Sequence, residues 1–131
     1  MFANDVGLGV HASKHYIFCI ICAPSGAYYA EGINPVRIYV EDEYIRAAPG
    51  LTGFTKCGGN YAASIKAGEL AEEQGYAQVL WLDGVEKKYV EEVGSMNIMF
   101  KIDGKVYTAA TVGTVLPGVC LLYTSDAADE R

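Results

Sequence analysis

Several stretches of this chain have the hydrophobic patterns that are typical of β-strands. Residues 15–23 are almost continuously apolar, which predicts a strand buried on both faces. Residues 78–82 form a second apolar run of strand length, bounded by polar residues. Residues 96–108 predict a hairpin, because Asp103-Gly104 separates two strand-like runs and favours a tight turn.

Residues 35–40 alternate in the way expected of a strand, with Val36, Ile38 and Val40 on one face. The residues that follow, 41–48, contain no glycine or proline and predict a short helix that ends before a proline. Prolines and glycines then interrupt the pattern, which predicts a loop before the next helix.

A longer helix is predicted from Asn60 to the neighbourhood of Gly75. Asparagine is a favoured residue at a helix N-cap, and glycine commonly ends a helix in a left-handed conformation. The alanines between these two positions favour helix, and the helix would direct its positive end toward Lys56. Strands and one long helix in this order predict an α+β domain with a mixed or mostly antiparallel sheet.

The composition is that of one small globular domain. With 51% hydrophobic and 20% charged residues, the 131-residue chain is too apolar for a disordered segment. Its net charge of −6 argues against nucleic acid and anionic membranes as partners, since both favour clustered lysine and arginine. No apolar run approaches the roughly 20 residues of a membrane span, and the first residues lack the pattern of a signal peptide.

Four cysteines are present, and Cys19 and Cys22 form a C-x-x-C pair. In a strand, residues three apart point to opposite faces, so these two thiols are not predicted to act together. The sequence contains no second pair of this kind to complete a zinc site. We therefore predict buried core cysteines, no metal site and a reducing, cytoplasmic location.

Lys56 has chemical interest because it lies just before Gly58-Gly59 and the predicted helix. A lysine amine becomes a good nucleophile where desolvation or nearby positive charge lowers its pKa. Glycines allow the backbone to lie close against a ligand. The alternative is a solvated lysine in a turn, which is the commoner situation for this residue type.

A second polar cluster, residues 91–97, follows the apolar run at residues 78–82. It contains Glu91 and Glu92, which would face opposite sides of a strand. At most one of the two carboxylates can therefore point into a given site. The alternative is a pair of exposed carboxylates with no role in a site.

Three segments resemble the middle of the branched-chain amino acid aminotransferases. They read KCGGNYAAS, QVLWLDGVEKKYVEEVGSMNIMF and TVLPGV, and the resemblance extends from about residue 8 to residue 119. That family uses pyridoxal 5′-phosphate (PLP) and has fold-type IV. The resemblance therefore implies that the α+β domain is part of the D-amino acid aminotransferase-like PLP fold.

The resemblance also implies roles for individual residues. Lys56 matches the family lysine that forms a Schiff base with PLP, and Tyr61 matches the tyrosine that hydrogen-bonds the phenolic oxygen of the cofactor. Glu92 matches the glutamate that pairs with the pyridine nitrogen. Ser95 is found where the family usually has threonine, near the substrate and the ring.

Gly118 and Val119 match the start of the loop whose backbone N–H groups bind the cofactor phosphate in that family. Beyond them, residues 120–131 resemble a translated sequencing adapter and are predicted not to be natural coding sequence. Residues 1–119 are expected to be a partial aminotransferase domain, mostly the larger, PLP-binding one, truncated at both ends. Leu51 departs from the family, which usually has glycine there, and a positive φ at this position would crowd the loop.

The activity implied for the full-length parent is transamination of leucine, isoleucine and valine with 2-oxoglutarate. The expected partners are therefore small amino acids, 2-oxo acids and a second copy of the chain in a homodimer. Two alternatives are open. One is another fold-type IV enzyme, such as a D-amino acid aminotransferase or an aminodeoxychorismate lyase. The other is a catalytically inert fragment.

Overall fold

The computed structural model describes residues 1–27, 29 and 32–123. The chain separates into two compact units, residues Met1–Asn34 and Pro35–Arg131. The tail predicted to be non-natural, residues 120–131, lies outside the described residues from Thr124 onward, and residues 119–123 are helical. Among the helices of the described part, none has the length and apolar character needed to span a bilayer.

The first unit contains one short antiparallel ladder between β1 (Phe2–Ala3) and β2 (Tyr16–Ile17). The predicted strand over residues 15–23 is therefore wrong in both length and burial. Its two paired residues are exposed, and so are the apolar side chains that follow, Phe18, Ile20 and Ile21. A doubly buried strand needs a packed layer on each face, and the described part of this unit contains no strand besides β1 and β2.

The predicted burial of the C-x-x-C cysteines is wrong for the same reason. Cys19 and Cys22 are both exposed, as are the apolar side chains beside them in the same segment. Cys57, like Cys19 and Cys22, is a free thiol.

The second unit is built on a mixed three-stranded sheet. Its strands are β3 (Ile38–Glu41), β4 (Gln78–Leu82) and β5 (Val90–Val93), in the order β3-β4-β5. β3 and β4 are parallel, and β4 and β5 are antiparallel. The mixed sheet and the helix that joins its parallel strands confirm the predicted α+β class.

The helix that joins β3 to β4 is α1 (Gly58–Glu73), and it packs on β4. The core consists of Ala67 and Ala71 from the helix and Val79 and Trp81 from the strand. The two alanines let the helix backbone approach the indole closely. Trp81 is 1% exposed, and its Nε1 donates a hydrogen bond to the Gly94 carbonyl at 3.1 Å. The buried tryptophan thus keeps its polar atom paired.

The C-terminal end of α1 agrees with the prediction, and the N-terminal end does not. Gly75 has φ +78 and donates to the Glu72 carbonyl, while Tyr76 donates to the Ala71 carbonyl, so the helix ends in a Schellman motif. At the start, Cys57 occupies the N-cap position without a side-chain cap bond. Asn60 is therefore not the N-cap, since it lies inside the first turn.

No helix forms over residues 41–48, where a short one was predicted. The Glu41 carboxylate accepts backbone hydrogen bonds from Glu43 at 2.7 Å and Tyr44 at 2.9 Å, and this closes a turn in place of a helix. The alternation in β3 is also offset from the predicted face. Tyr39 packs against the core and Glu41 is buried, whereas Val40 is half exposed.

The remaining turns follow the sequence pattern. β6 (Met99–Ile102) pairs with β7 (Lys105–Thr108), and Asp103 and Gly104 both have positive φ, at +49 and +80. The predicted hairpin is confirmed, although its first strand begins at Met99 rather than residue 96. Between β4 and β5, the Asp83 carboxylate accepts four backbone N–H groups, which lowers the pKa of that carboxyl.

Candidate functional site

A cleft in the second unit lies between the start of α1 and the end of β5. Four of the residues singled out in the sequence line it together: Lys56, Tyr61, Glu92 and Ser95. The helix supplies Tyr61, the segment just before it supplies Lys56, and the sheet supplies Glu92. The cleft is also lined by Arg46, Asn60, Gly94 and Leu116.

Gly118 and Val119 line a second cleft, which shares Lys56, Ser95 and Leu116 with the first. The two clefts are therefore adjoining, and all six predicted site residues border them. A Cβ at position 118 would overlap the Asn97 side-chain oxygen, so a larger residue there would require the Asn97 side chain to move. Asn97 in turn donates to the Leu116 carbonyl at 2.9 Å.

Ser95 reaches the cleft because β5 ends in a tight turn. Val93 and Met96 exchange two backbone hydrogen bonds, of 3.0 and 2.9 Å, across the turn. Gly94 has φ +56, a conformation that glycine adopts at low cost. The turn leaves Ser95 exposed at the mouth of the cleft.

Lys56 is exposed, and its Nζ lies 5.3 Å from the centre of the Tyr61 ring. It precedes α1 by two residues, so its amine lies near the positive end of the helix. The Tyr61 side chain is 38% exposed. Both side chains are therefore accessible from solvent.

Glu92 is the buried carboxylate of the cleft, with 3% of its surface exposed. Its Oε1 accepts a hydrogen bond from the backbone N–H of Leu116 at 3.0 Å and a longer one from Asn97 at 3.5 Å. Its Oε2 lies 3.3 Å from Nε of Arg46. A buried negative charge is costly unless it is paired in this way.

Arg46 is a site residue that the sequence analysis missed. Its guanidinium donates to the carbonyl of Gly53 and to the carbonyl of Thr114, while its Nε faces Glu92 as an ion pair without hydrogen-bond alignment. Its side chain is 8% exposed. The residue lay in a segment predicted as an ordinary short helix, and no local pattern marks an arginine whose partners are distant in sequence.

Glu91 and Glu92 line different cavities, as expected of neighbouring residues on a strand. Both are buried, so the alternative of two exposed carboxylates is wrong. Glu91 accepts a hydrogen bond from the Thr114 hydroxyl at 2.5 Å, and its other oxygen is buried without a hydrogen-bond partner among the described residues. Burial raises the pKa of Glu91, and the Thr114 hydroxyl and the Arg46 charge oppose that rise.

The loop that carries the chain toward Lys56 is not strained at Leu51. Among the described residues, positive φ outside glycine occurs only at Lys87 and Asp103. Leu51 is 64% exposed and needs no special conformation, so the crowding considered for this position does not arise.

Relatives of known name match most of the chain. It is 56% identical over 119 residues to branched-chain-amino-acid aminotransferase 2 of Bacillus subtilis (strain 168), a match that covers 91% of the chain and 33% of the relative. It is 58% identical over 120 residues to a probable branched-chain-amino-acid aminotransferase of Staphylococcus aureus (strain N315), covering 91% and 34%. The chain thus spans about a third of the length of these curated relatives.

Solved structures of similar fold carry related names. The branched-chain amino acid aminotransferase of Escherichia coli superposes with a TM-score of 0.70 at 31% identity, over 82% of this chain and 36% of that one. The T.th. branched-chain amino acid aminotransferase, complexed with N-(5′-phosphopyridoxyl)-L-glutamate, superposes with a TM-score of 0.61 at 28% identity, over 72% and 31%.

The family model described as amino-transferase class IV matches residues 11–131, which is most of the chain. The match includes the segment of Lys56, the strand of Glu92 and the loop of Gly118. This chain therefore belongs to the class IV aminotransferases.

Proposed function

We propose that this chain forms the PLP-binding part of a branched-chain amino acid aminotransferase. The enzyme would transfer the amino group of leucine, isoleucine or valine to 2-oxoglutarate. The observation that carries the proposal is the shared cleft of Lys56, Tyr61, Glu92 and Ser95. The names of relatives at 56% and 58% identity support the choice of substrate class.

The donor set of the cleft fits PLP. An exposed amine, at Lys56, is available to an aldehyde, and the Tyr61 hydroxyl is available to a phenolate oxygen. Glu92 presents a buried carboxylate on the same cleft, suited to a pyridinium nitrogen. The buried charge of Glu92 is paired with Arg46 and accepts a hydrogen bond from the backbone of Leu116. The carboxylate is therefore stabilised without a bound cofactor.

PLP supplies an electron sink for the bond-breaking at the substrate α-carbon when it is bound. The Glu92 carboxylate would pair with the ring nitrogen and favour its protonated form. Lys56 is the accessible amine of the cleft and would act as general base and acid, taking the proton from the substrate α-carbon and delivering it to the carbon that carries the aldehyde in the free cofactor. The Tyr61 hydroxyl would donate a hydrogen bond to the phenolate oxygen of the cofactor, and Arg46 holds Glu92 in position.

The full-length protein is proposed to act as a cytoplasmic homodimer. The location is supported by the free thiols of Cys19, Cys22 and Cys57, since a reducing compartment keeps thiols out of disulfides.

The cofactor assignment is tested by trapping. The 131-residue chain is incubated with PLP, reduced with borohydride, digested and examined by peptide mass spectrometry. We expect the label on Lys56. Label on Lys101 or Lys105, with Lys56 unmodified, would contradict the assignment, because both of those lysines lie in the exposed β6–β7 hairpin.

The substrate assignment needs a complete enzyme, because the chain spans a third of its relatives. We suggest a chimaera in which the 119 matched residues replace their counterparts in the Bacillus subtilis enzyme. It is assayed with leucine, isoleucine and valine, with D-alanine as the matched control. Activity confined to D-alanine would favour the alternative of a D-amino acid aminotransferase.

A further inference from the structure

Asn60 is the most fully hydrogen-bonded side chain near Lys56. Its amide nitrogen donates to the carbonyl of Thr52 at 2.7 Å and to the carbonyl of Thr55 at 2.9 Å. Its amide oxygen accepts from the Thr52 hydroxyl at 2.8 Å. The residue is 8% exposed, so these bonds form away from solvent.

These contacts fix the backbone on both sides of Lys56. On the N-terminal side, the Asn60 side chain binds the carbonyl of Thr55, the residue directly before the lysine. On the C-terminal side, the backbone N–H of Asn60 donates to the carbonyl of Cys57, directly after it, at 3.1 Å. A single residue of α1 therefore holds both neighbours of Lys56.

We propose that Asn60 is a positioning residue, which anchors the Thr52–Lys56 segment to α1 and so directs the Lys56 amine into the cleft of Tyr61 and Glu92. This inference rests on the proposed function of Lys56 as the cofactor-binding amine. Asn60 itself acts through the loop, and its amide atoms are occupied by the loop.

Loss of the amide would leave the Thr55 carbonyl without its buried donor, whereas the Thr52 carbonyl would keep the backbone N–H and hydroxyl of Thr55 as donors. The loop would move to satisfy the Thr55 carbonyl elsewhere. A displacement of about 1 Å at a reacting group costs roughly 100-fold in rate. We therefore expect Asn60→Ala to slow covalent attachment of PLP to Lys56 by about 100-fold.

Two further variants separate the individual hydrogen bonds. Asn60→Asp keeps an acceptor for the Thr52 hydroxyl and loses both donors, so it should attach PLP as slowly as Asn60→Ala. Thr52→Val removes the hydroxyl alone and keeps the Thr52 carbonyl, so its attachment rate should stay within about 3-fold of the wild type.

A stability control distinguishes positioning from a general loss of structure. Ala71→Gly removes a buried methyl group from the same helix, far along it from Lys56. Asn60→Ala and Ala71→Gly are both measured in the full chain and in the chimaera. The measurements are thermal unfolding, the rate of borohydride trapping, and the affinity for pyridoxamine 5′-phosphate, which lacks the aldehyde. Positioning predicts slow trapping in Asn60→Ala alone, with pyridoxamine 5′-phosphate affinity little changed. Trapping rates that fall equally in the two variants, or a wild-type rate in Asn60→Ala, would overturn the proposal.

A cofactor-independent measurement keeps the inference separate from the proposed function. Acetic anhydride labelling without PLP compares the reactivity of Lys56 with that of Lys101, an exposed lysine in β6. We expect Asn60→Ala to change the ratio of the two and Ala71→Gly to leave it unaltered. If the wild-type chain fails to trap PLP, the proposed function fails. An unchanged labelling ratio in Asn60→Ala would contradict the positioning role, whether or not the wild-type chain traps PLP.

Discussion

The two neighbouring glutamates of β5 are both buried, but their carboxylates have different hydrogen-bond and charge partners. Glu92 faces a guanidinium and a backbone donor, so its buried charge is offset. Glu91 faces the Thr114 hydroxyl and keeps one oxygen buried without a hydrogen bond among the described residues. The first has cationic and donor partners for its carboxylate, whereas burial raises the pKa of the second.

Replacement of each glutamate by glutamine tests this division of roles. In the chimaera, Glu92→Gln should lower the transamination rate by about 100-fold, because the amide gives no negative charge to the ring nitrogen. Glu91→Gln is the matched control and should stay within about 3-fold of the parent rate. Steady-state assays at saturating leucine measure both. Equal losses would count against the role of Glu92.

The raised pKa of Glu91 predicts a specific dependence of stability on pH. Below the ordinary glutamate range, Glu91 is protonated in the folded and unfolded states alike. As the pH rises from that range through the raised pKa, only the folded state keeps the proton, so the free energy of unfolding falls. Above the raised pKa no further loss occurs.

Denaturant unfolding of the chimaera at several pH values, compared with Glu91→Gln, measures this effect. The variant lacks the titrating group, so the difference in stability should favour the parent at acidic pH and shift toward the variant as the pH rises. A difference that is constant with pH would contradict the assignment.

At the scale of elements, the site depends on how closely the loop before α1 approaches the rest of the second unit. A Cβ on Gly53 would overlap the Ala47 side chain and lie 2.9 Å from the Thr114 carbonyl. Both Gly53 and Thr114 accept hydrogen bonds from Arg46. Close packing here therefore supports the arginine that pairs with Glu92. In contrast, a Cβ on Gly68 of α1 would meet no atom within 4 Å.

Alanine at these two glycines should have opposite effects on stability. Gly53→Ala should destabilise the fold by about 1–3 kcal/mol, because backbone and side-chain atoms have to shift. Gly68→Ala should stabilise it by roughly 0.5–1 kcal/mol, because alanine loses less conformational entropy in a helix. Denaturant midpoints of the two variants measure both. A tolerated Gly53→Ala would show that the loop is looser than the structure indicates.

At the scale of the whole molecule, much apolar surface is uncovered. In the first unit, Phe18, Ile20 and Ile21 are 71%, 77% and 87% exposed. Contiguous exposed apolar residues of this kind favour association. The chain spans about a third of its curated relatives, so in a longer protein other segments are available to cover this surface.

We therefore expect the isolated chain to associate with rising concentration and to bind a hydrophobic dye. Ile21→Lys should reduce both, since it places a charge in the apolar stretch, whereas Ser25→Lys adds the same charge at an exposed polar position and should change little. Light scattering coupled to size exclusion measures the association. A monodisperse monomer at all concentrations would refute this expectation.

The sequence by itself determined the elements whose signals are local. The apolar run of β4, the Asp103-Gly104 turn and the left-handed Gly75 at the end of α1 are all as predicted, because each depends on a few adjacent residues. The motifs around Lys56 and Glu92 likewise identified the family, since they recur as contiguous strings.

Only the tertiary structure decided which polar groups are buried and what they contact. Arg46 binds a carbonyl 68 residues away, and the Glu92 carboxylate binds a backbone N–H 24 residues away. The sequence pattern at residues 41–48 fits a helix, but the Glu41 side chain closes a turn there instead. The pattern at residues 15–23 fits a buried strand, but those residues are exposed. Burial and pairing depend on contacts between distant segments, and those contacts have no periodic signature along the chain.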